Sequence, residues 1–288
     1  MPVIFKNPHL PDYFAEVKGV HGDARPSAIA PIIEPYEAAR VLAFPELRFD
    51  IDHEFWASLP TDDYPQLKKL SSSPGTADPA EDAVLTRRLK GAELPAELEK
   101  RLRREITRFY AQALPVYEAL FRGYRFTRRQ VVWRLNTIRN ENQHVDTYAE
   151  HLPDHFARLF INLDVQPRIW TTSHRMADLF DRFGDRVPRK VLETGSAEAL
   201  RQAVNTAAFG GRSNVWWDAE PRHVAYFDPG DVWAVDSRQV AHQIFYGRRA
   251  VSIDFFVDPA SMGDPGRHYL AFAESFRARA LAGRQAAE

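Results

Sequence analysis

The chain contains no cysteine among its 288 residues. That absence excludes disulfide frameworks, thiolate nucleophiles, iron–sulfur clusters and cysteine-ligated zinc. Nothing approaches the run of ~20 consecutive apolar residues that a membrane-spanning helix needs. The start, MPVIFKNPHLPDYF, has neither the basic region nor the apolar stretch of a secretory signal. Together these features lead us to expect a cytoplasmic protein. Charge of one sign is not in excess either. The 38 Lys and Arg nearly balance 39 Asp and Glu, for a net charge of −1. No global field draws a polyanion, and no nucleic-acid partner is expected. The composition sets no oligomeric state.

Apolar and aromatic material is plentiful. The chain is 44% hydrophobic, with 19 Phe, 10 Tyr and 6 Trp, enough for one large core. Residues 1–60 are broken up by proline, with short apolar runs at Ala28–Ile33 and Val41–Pro45 that read as loops and one or two strands. SSSPGTADPAEDA at 71–83 reads as a loop and a candidate lid. Residues 95–121 carry a helical stripe, Leu98, Leu102, Ile106, Phe109 and Leu114, with Pro115 as an expected kink or division.

From Gln130 the texture changes to short β-branched and aromatic runs: QVVWRL, ARLFINL, HVAYF, DVWAV and RAVSIDFFV. Short helices are expected at 174–184 and 196–208, and a final helix at 265–286. The expected architecture is α+β, mainly β. A single domain combines an N-terminal helical and loop region (1–125), an antiparallel β core (126–258) and a C-terminal helix (259–288).

The chemistry centres on His144-Val145-Asp146. In a strand, residues i and i+2 share a face, so the imidazole and the carboxylate can address one ion while Val145 turns away. The third ligand should lie on a later strand. His242, 96 residues after Asp146, sits in GDVWAVDSRQVAHQIFYGRRAVSIDFFVD between strand-like runs. Two histidines and a carboxylate hold one face of Fe(II) and leave the other open, the arrangement of 2-oxoglutarate-dependent oxygenases. Such an enzyme uses Fe(II), 2-oxoglutarate and O₂, and needs a cation for the distal carboxylate of 2-oxoglutarate.

Strand parity places Ala250, Ser252 and Asp254 on one face of the last strand, and extends that face to Arg248. Arg248 and Ser252 are therefore expected to hold the co-substrate carboxylate. A bulge near Gly247 would reverse the assignment of Arg248. Arg134 and Arg158 are its rivals, and Asn162 shares a face with Arg158. His151 and His155 have i, i+4 spacing, but Pro153 lies between them, and they read as loop or pocket-rim residues. His174 and His223 read as solvated.

The segments WRLNTIRNENQHVDTYAEHLPDHFARLFINLD and GDVWAVDSRQVAHQIFYGRRAVSIDFFV resemble the Kdo hydroxylases over roughly residues 125–258. These are Fe(II)/2-oxoglutarate-dependent enzymes acting on 3-deoxy-D-manno-oct-2-ulosonic acid (Kdo) in the lipopolysaccharide inner core. The resemblance implies a double-stranded β-helix (jelly-roll, cupin-like) core, with iron ligands at His144, Asp146 and His242. It also implies hydroxylation at C3 of Kdo, with succinate and CO₂ as co-products.

A sugar acid needs cations, polar groups and an aromatic wall, for which Arg134, Arg139 and Trp170 are the candidates. Arg139 and Arg168 can equally cap strands at the surface. Kdo-lipid A as substrate leaves open a peripheral contact with the inner face of the inner membrane, through the basic stretches at 87–90 and 99–104. Three competing readings share the metal motif. One is an oxygenase of amino acids or other small carboxylates. Another is a non-redox cupin-like metal and sugar module. The third is a zinc hydrolase using Glu141 or Glu150 as base.

Overall fold

Two sheets carry the chain in a computed structural model, which describes residues 2–75, 82–136, 142–146, 153–210 and 220–285. The larger has eight strands. Side by side run β2 (Phe14–Glu16), β3 (Val41–Phe44), β10 (Val232–Ala234), β7 (His155–Asn162), β12 (Ala250–Val257), β6 (Val131–Arg134) and β4 (Lys69–Ser72), and β5 (Phe126–Arg128) also pairs with β12. The smaller runs β1 (Val3–Phe5), β9 (His223–Phe227), β8 (Arg168–Arg175) and β11 (Val240–Tyr246). Among the described residues every strand pairing is antiparallel except β2 with β3.

The expected strands appear with small shifts of boundary, because alternation marks a strand's face more sharply than its ends. The run at Ala28–Ile33 is different. It forms a 3₁₀ turn at Pro26–Ala28 and leads into the short helix α1 (Ile33–Glu37). Further helices are α2 (His53–Ser58), α3 (Ala83–Lys90), α4 (Ala96–Leu120), α5 (Met176–Phe183), α6 (Arg189–Thr194), α7 (Ala197–Phe209) and α8 (Tyr269–Gln285).

Helix α4 lies on the outer face of the larger sheet. Its Leu102, Ile106, Phe109, Tyr110, Ala113 and Tyr117 share one core with Trp133, Leu159, Ile161, Val251, Ile253 and Phe255. The helix recurs at 3.6 residues and the strands at 2, so each element turns one stripe to the other. Pro115 does not divide the helix, which continues to Leu120. The proline removes one backbone donor, but Val116, Tyr117 and Leu120 beyond it are buried against the sheet and hold the last turn in place.

The residues of β12 that alternate with that stripe, Ala250, Ser252 and Asp254, point to the opposite side, toward the smaller sheet. Between the sheets the packing is aromatic. Phe160, Trp170, Phe227 and Trp233 are all buried, with Trp233 stacked on Phe160 at 5.2 Å and on Phe227 at 3.9 Å. Helices α5 to α8 form a third layer, with its own apolar cluster that includes Val145 and Ala241. No described helix is long and apolar enough to cross a membrane. Of the expected 71–83 loop, 71–72 belong to β4, α3 begins at Ala83, and 76–81 lie outside the described residues.

Candidate metal centre and its pocket

The short segment 142–146 docks along β11. His144 and His242 exchange both backbone hydrogen bonds, at 3.0 and 2.8 Å, as an isolated antiparallel bridge. Asp146 N–H donates to the carbonyl of Ser237 at 2.9 Å. Val145 turns into the helical layer and is 3% exposed. The i, i+2 argument thus holds over a single bridge rather than a full strand. It brings His144 and Asp146 to one side, facing His242.

The candidate donor atoms of His144, Asp146 and His242 all lie within 4.8 Å of one another. His144 Nε2 is 3.5 Å from Asp146 Oδ1, and His242 Nε2 is 4.0 Å from Asp146 Oδ2. A six-coordinate ion with bonds of ~2.1 Å holds adjacent donors about 3 Å apart, so small side-chain rotations bring these three into ligation.

The tautomers fit as well. His144 Nδ1 meets the carbonyl of Asn142 at 2.6 Å, and His242 Nδ1 meets that of Val240 at 3.0 Å. A carbonyl only accepts, so each Nδ1 carries the proton and each Nε2 presents a lone pair toward Asp146. Burial holds the His242 imidazole down to about 3, against the pull of Asp146, and keeps it neutral. Burial alone would push Asp146 up. The Arg158 guanidinium overcomes it and keeps the carboxyl well below its usual range. A neutral imidazole pair and an ionised carboxylate form the donor set that Fe(II) takes.

Beyond the cluster, a pocket between the sheets is lined by Arg134, Phe160, Arg168, Trp170, Trp233 and Ile244, with Asp146, Arg158, His242 and Ala250 completing it. Trp170, the residue expected as an aromatic wall, packs against the His242 ring at 5.0 Å. Arg134 crosses over Ala250, its partner in register, and donates through Nη1 to Ser252 Oγ at 2.9 Å. Ser252 in turn donates to Asp254 Oδ2 at 3.0 Å, and Arg158 Nε donates to Asp254 Oδ1 at 2.8 Å. A polar chain therefore runs from Arg134 in the pocket to the carboxylate of Asp146.

Arg248 does not join this site. It is exposed, in the turn before β12, and its backbone N–H donates to Asp164 Oδ2 at 3.2 Å. Parity holds within β12 but does not extend through Gly247, whose φ of +122° breaks the extended backbone. The guanidinium beside Ser252 belongs to Arg134 instead.

Arg158 is also placed differently from expectation. It is 2% exposed, and Asp146, Ser237 and Asp254 take its donors, so it is not positioned to receive a co-substrate carboxylate. Asn162 is on the expected face, but its amide is used locally. Its Nδ2 donates to the carbonyls of Gln166 and Phe227, both at 2.9 Å, and its Oδ1 accepts from Asp164 N–H at 3.0 Å. It holds the turn between β7 and β8. Arg139 lies outside the described residues, as do His151, Glu141 and Glu150.

The histidines read as solvated are buried. His174 is paired with Glu220 at 2.8 Å, and His223 accepts from Asn7 N–H at 2.9 Å. His155 lies within β7, fully buried, 3.2 Å from Tyr124 Oη and 3.7 Å from Asp236 Oδ2.

The sequence left Arg168 open between the pocket and a surface cap, and two further residues, Trp233 and Asp254, escaped the sequence reading. Arg168 is 2% exposed and lines the cavity rather than capping a strand at the surface. Its parity with Trp170 was the available signal. Trp233 also lines the pocket, and its buried indole N–H meets no acceptor among the described residues. Asp254 shared a face with Ser252 and could have been read as its partner.

No family model matches the chain, and no curated protein matches it. Solved structures do. The Kdo hydroxylase KdoO, a non-heme Fe(II) alphaketoglutarate dependent dioxygenase, in complex with alphaketoglutarate and Fe(III), aligns with a TM-score of 0.65. Identity is 16%, over 91% of this chain and 95% of that one. Its apo and cobalt(II) forms align with a TM-score of 0.64 at 16% and 15% identity, over the same shares of the two chains. The expected fold class is therefore found: a mixed α+β chain that shares the fold of a cupin-like 2-oxoglutarate oxygenase.

Proposed function

We propose that the chain is an Fe(II)/2-oxoglutarate-dependent oxygenase that hydroxylates a sugar acid, with C3 of Kdo in the lipopolysaccharide inner core as the position attacked. The observation that carries this reading is the His144–Asp146–His242 cluster, with both imidazole lone pairs aimed inward, opening on a pocket lined by three arginines, of which Arg134 and Arg168 are not committed to Asp146. The fold shared with KdoO supports it. On this reading residues 1–288 form one catalytic unit.

His144, Asp146 and His242 would hold Fe(II) by one face. Bound there, the metal with 2-oxoglutarate and O₂ supplies the oxidising power, giving succinate, CO₂ and a hydroxylated product. The chain's own work is binding, orientation and exclusion of water. Two anionic reactants need two cations. Arg134, steadied by Ser252, is assigned to the distal carboxylate of 2-oxoglutarate. Arg168, across the pocket on β8, is assigned to the carboxylate of the sugar. Trp170 and Trp233 supply the apolar walls that keep the site dry, and the Trp233 indole N–H offers a further donor.

The test is oxygen-dependent succinate release by Fe(II)-loaded protein, measured alone, with Kdo-lipid A, with free Kdo and with a panel of amino acids. Stimulation by the Kdo compounds, with product heavier by one oxygen atom, is the expected result. Stimulation by an amino acid alone would keep the reaction class and replace the substrate. Absence of succinate under every condition would favour a non-redox metal and sugar module.

A further inference from the structure

Arg158 sits where the candidate metal centre meets the rest of the core, and its geometry is over-determined. Its Nη1 donates to Asp146 Oδ2 and, at 2.7 Å, to Ser237 Oγ, while its Nε donates to Asp254 Oδ1 at 2.8 Å. The guanidinium carbon lies over the rings of Phe156 and Phe160, at 5.1 and 4.7 Å. The backbone N–H of Arg158 donates to Tyr36 Oη at 2.9 Å. A side chain that is 2% exposed and held at this many points cannot swing away without stranding the carboxylate of Asp254, itself 2% exposed.

We propose that Arg158 is a positioning residue that caps Oδ2 of Asp146 and so restricts this carboxylate to one-oxygen ligation. The inference rests on the metal-site reading above. A carboxylate with both oxygens accessible can chelate one ion, and each oxygen so bound takes up a coordination position. Three single-atom protein donors leave three positions of a six-coordinate ion for water or reactants, and a chelating Asp146 leaves two. A guanidinium fixed on Oδ2 makes chelation unfavourable, since it would have to give up a charge-assisted hydrogen bond in a buried site. Oδ1, which faces His144 Nε2 at 3.5 Å, remains the ligating atom.

The cap also carries a cost, which gives the idea its distinguishing sign. A cation beside the carboxylate repels the incoming metal ion, so the arrangement gives up affinity for an open face. An ordinary supporting partner does the opposite, and its loss weakens metal binding about 10–100-fold.

The experiment uses Mn(II) as probe, with affinity from calorimetry and bound exchangeable waters from water-proton relaxation, on the full chain without co-substrate. Asp254→Asn serves as a control that leaves the Arg158–Asp146 contact in place. The test variant is Arg158→Met with Asp254→Asn, which removes the cap without leaving a buried carboxylate unpaired. The expected result is three exchangeable waters for wild type and Asp254→Asn, and two for the double variant, with Mn(II) affinity unchanged or higher. Three waters in the double variant, or affinity lowered about 10–100-fold, would overturn the capping role while leaving the metal site intact.

Wild-type protein that binds no Mn(II) would overturn the capping role and the metal-site reading together. A crystal structure of the wild-type Co(II) complex decides the matter without any variant. It is expected to show one oxygen of Asp146 on the metal and the other on Arg158; both oxygens on the metal would end the proposal.

Discussion

Arg134 and Ser252 are 118 positions apart in the chain, yet Arg134 Nη1 donates to Ser252 Oγ at 2.9 Å. Their strands are neighbours, and the small Ala250 lies directly opposite Arg134 in the register, so the guanidinium can reach across to the hydroxyl two residues on. The pair presents a cation and a hydroxyl to the pocket side by side. If this is the co-substrate's anchor, Arg134→Met should weaken 2-oxoglutarate binding to the metal-loaded protein about 10–100-fold, the loss of a hydrogen bond to a charged group. Arg248→Met, on the exposed turn, should change it less than about twofold. Calorimetric titration of 2-oxoglutarate under anaerobic conditions separates the two. A larger effect at Arg248 would return the anchor to the turn.

The metal ligands make a second, sharper expectation. His144→Ala and His242→Ala should each lower Co(II) affinity by more than the ~10–100-fold typical of an outer-shell partner. His155, fully buried on β7 of the larger sheet, is turned toward Tyr124 and Asp236 and should not bind metal. His155→Gln should therefore retain Co(II) binding whatever it does to stability. Equal loss of metal in all three variants would mean that the site has been drawn around the wrong imidazoles.

Stability should depend on the outer face of β12 as much as activity depends on its inner face. Phe255 is fully buried, with Tyr117 of α4 at 4.6 Å and Phe126 at 5.0 Å, both edge-to-face. Phe255→Ala removes a ring that the neighbouring helix and strand cannot fill, and should cost about 3–5 kcal/mol in urea denaturation. A loss below ~1 kcal/mol would mean that α4 does not pack on this sheet in solution.

These cases show where the sequence was legible. The two faces of β12 could be read from alternation alone, because Val251, Ile253 and Phe255 must face an apolar layer. The i, i+2 rule placed His144 and Asp146 together for the same reason. Reading failed where the backbone leaves the extended state or where a partner comes from a distant strand. The positive φ of Gly247 carries Arg248 out of the site. Arg158 was legible as pocket-facing, but its commitment to Asp146 and Asp254 follows from tertiary register, with Arg158 and Asp254 opposite each other on β7 and β12. The buried states of His174 and His223 depend on chain that packs over them, which no local pattern announces.

Asp236 offers a test of the core that is independent of metal. It is fully buried, and although its carboxylate accepts from Gln239 Nε2 and from the Arg238 N–H, burial pushes its pKa up to about 6, helped by the negative charge of Asp146. A raised folded-state pKa means that the native protein holds this proton more tightly than the unfolded chain does. Its stabilising contribution is complete below the unfolded value near 4 and is lost as pH rises through 6. The Asp236→Asn variant has no such titration. Relative to that variant, wild type should gain on the order of 2 kcal/mol between pH 7 and about pH 4.5, measured by urea denaturation in the presence of chelator. Carboxylates with lowered pKa values act at more acidic pH and in the opposite direction, and they are common to both proteins, so they cancel in the comparison. A difference between variant and wild type that does not move with pH would mean that the Asp236 carboxyl is ionised at its ordinary value, and that its surroundings are wetter than their packing indicates.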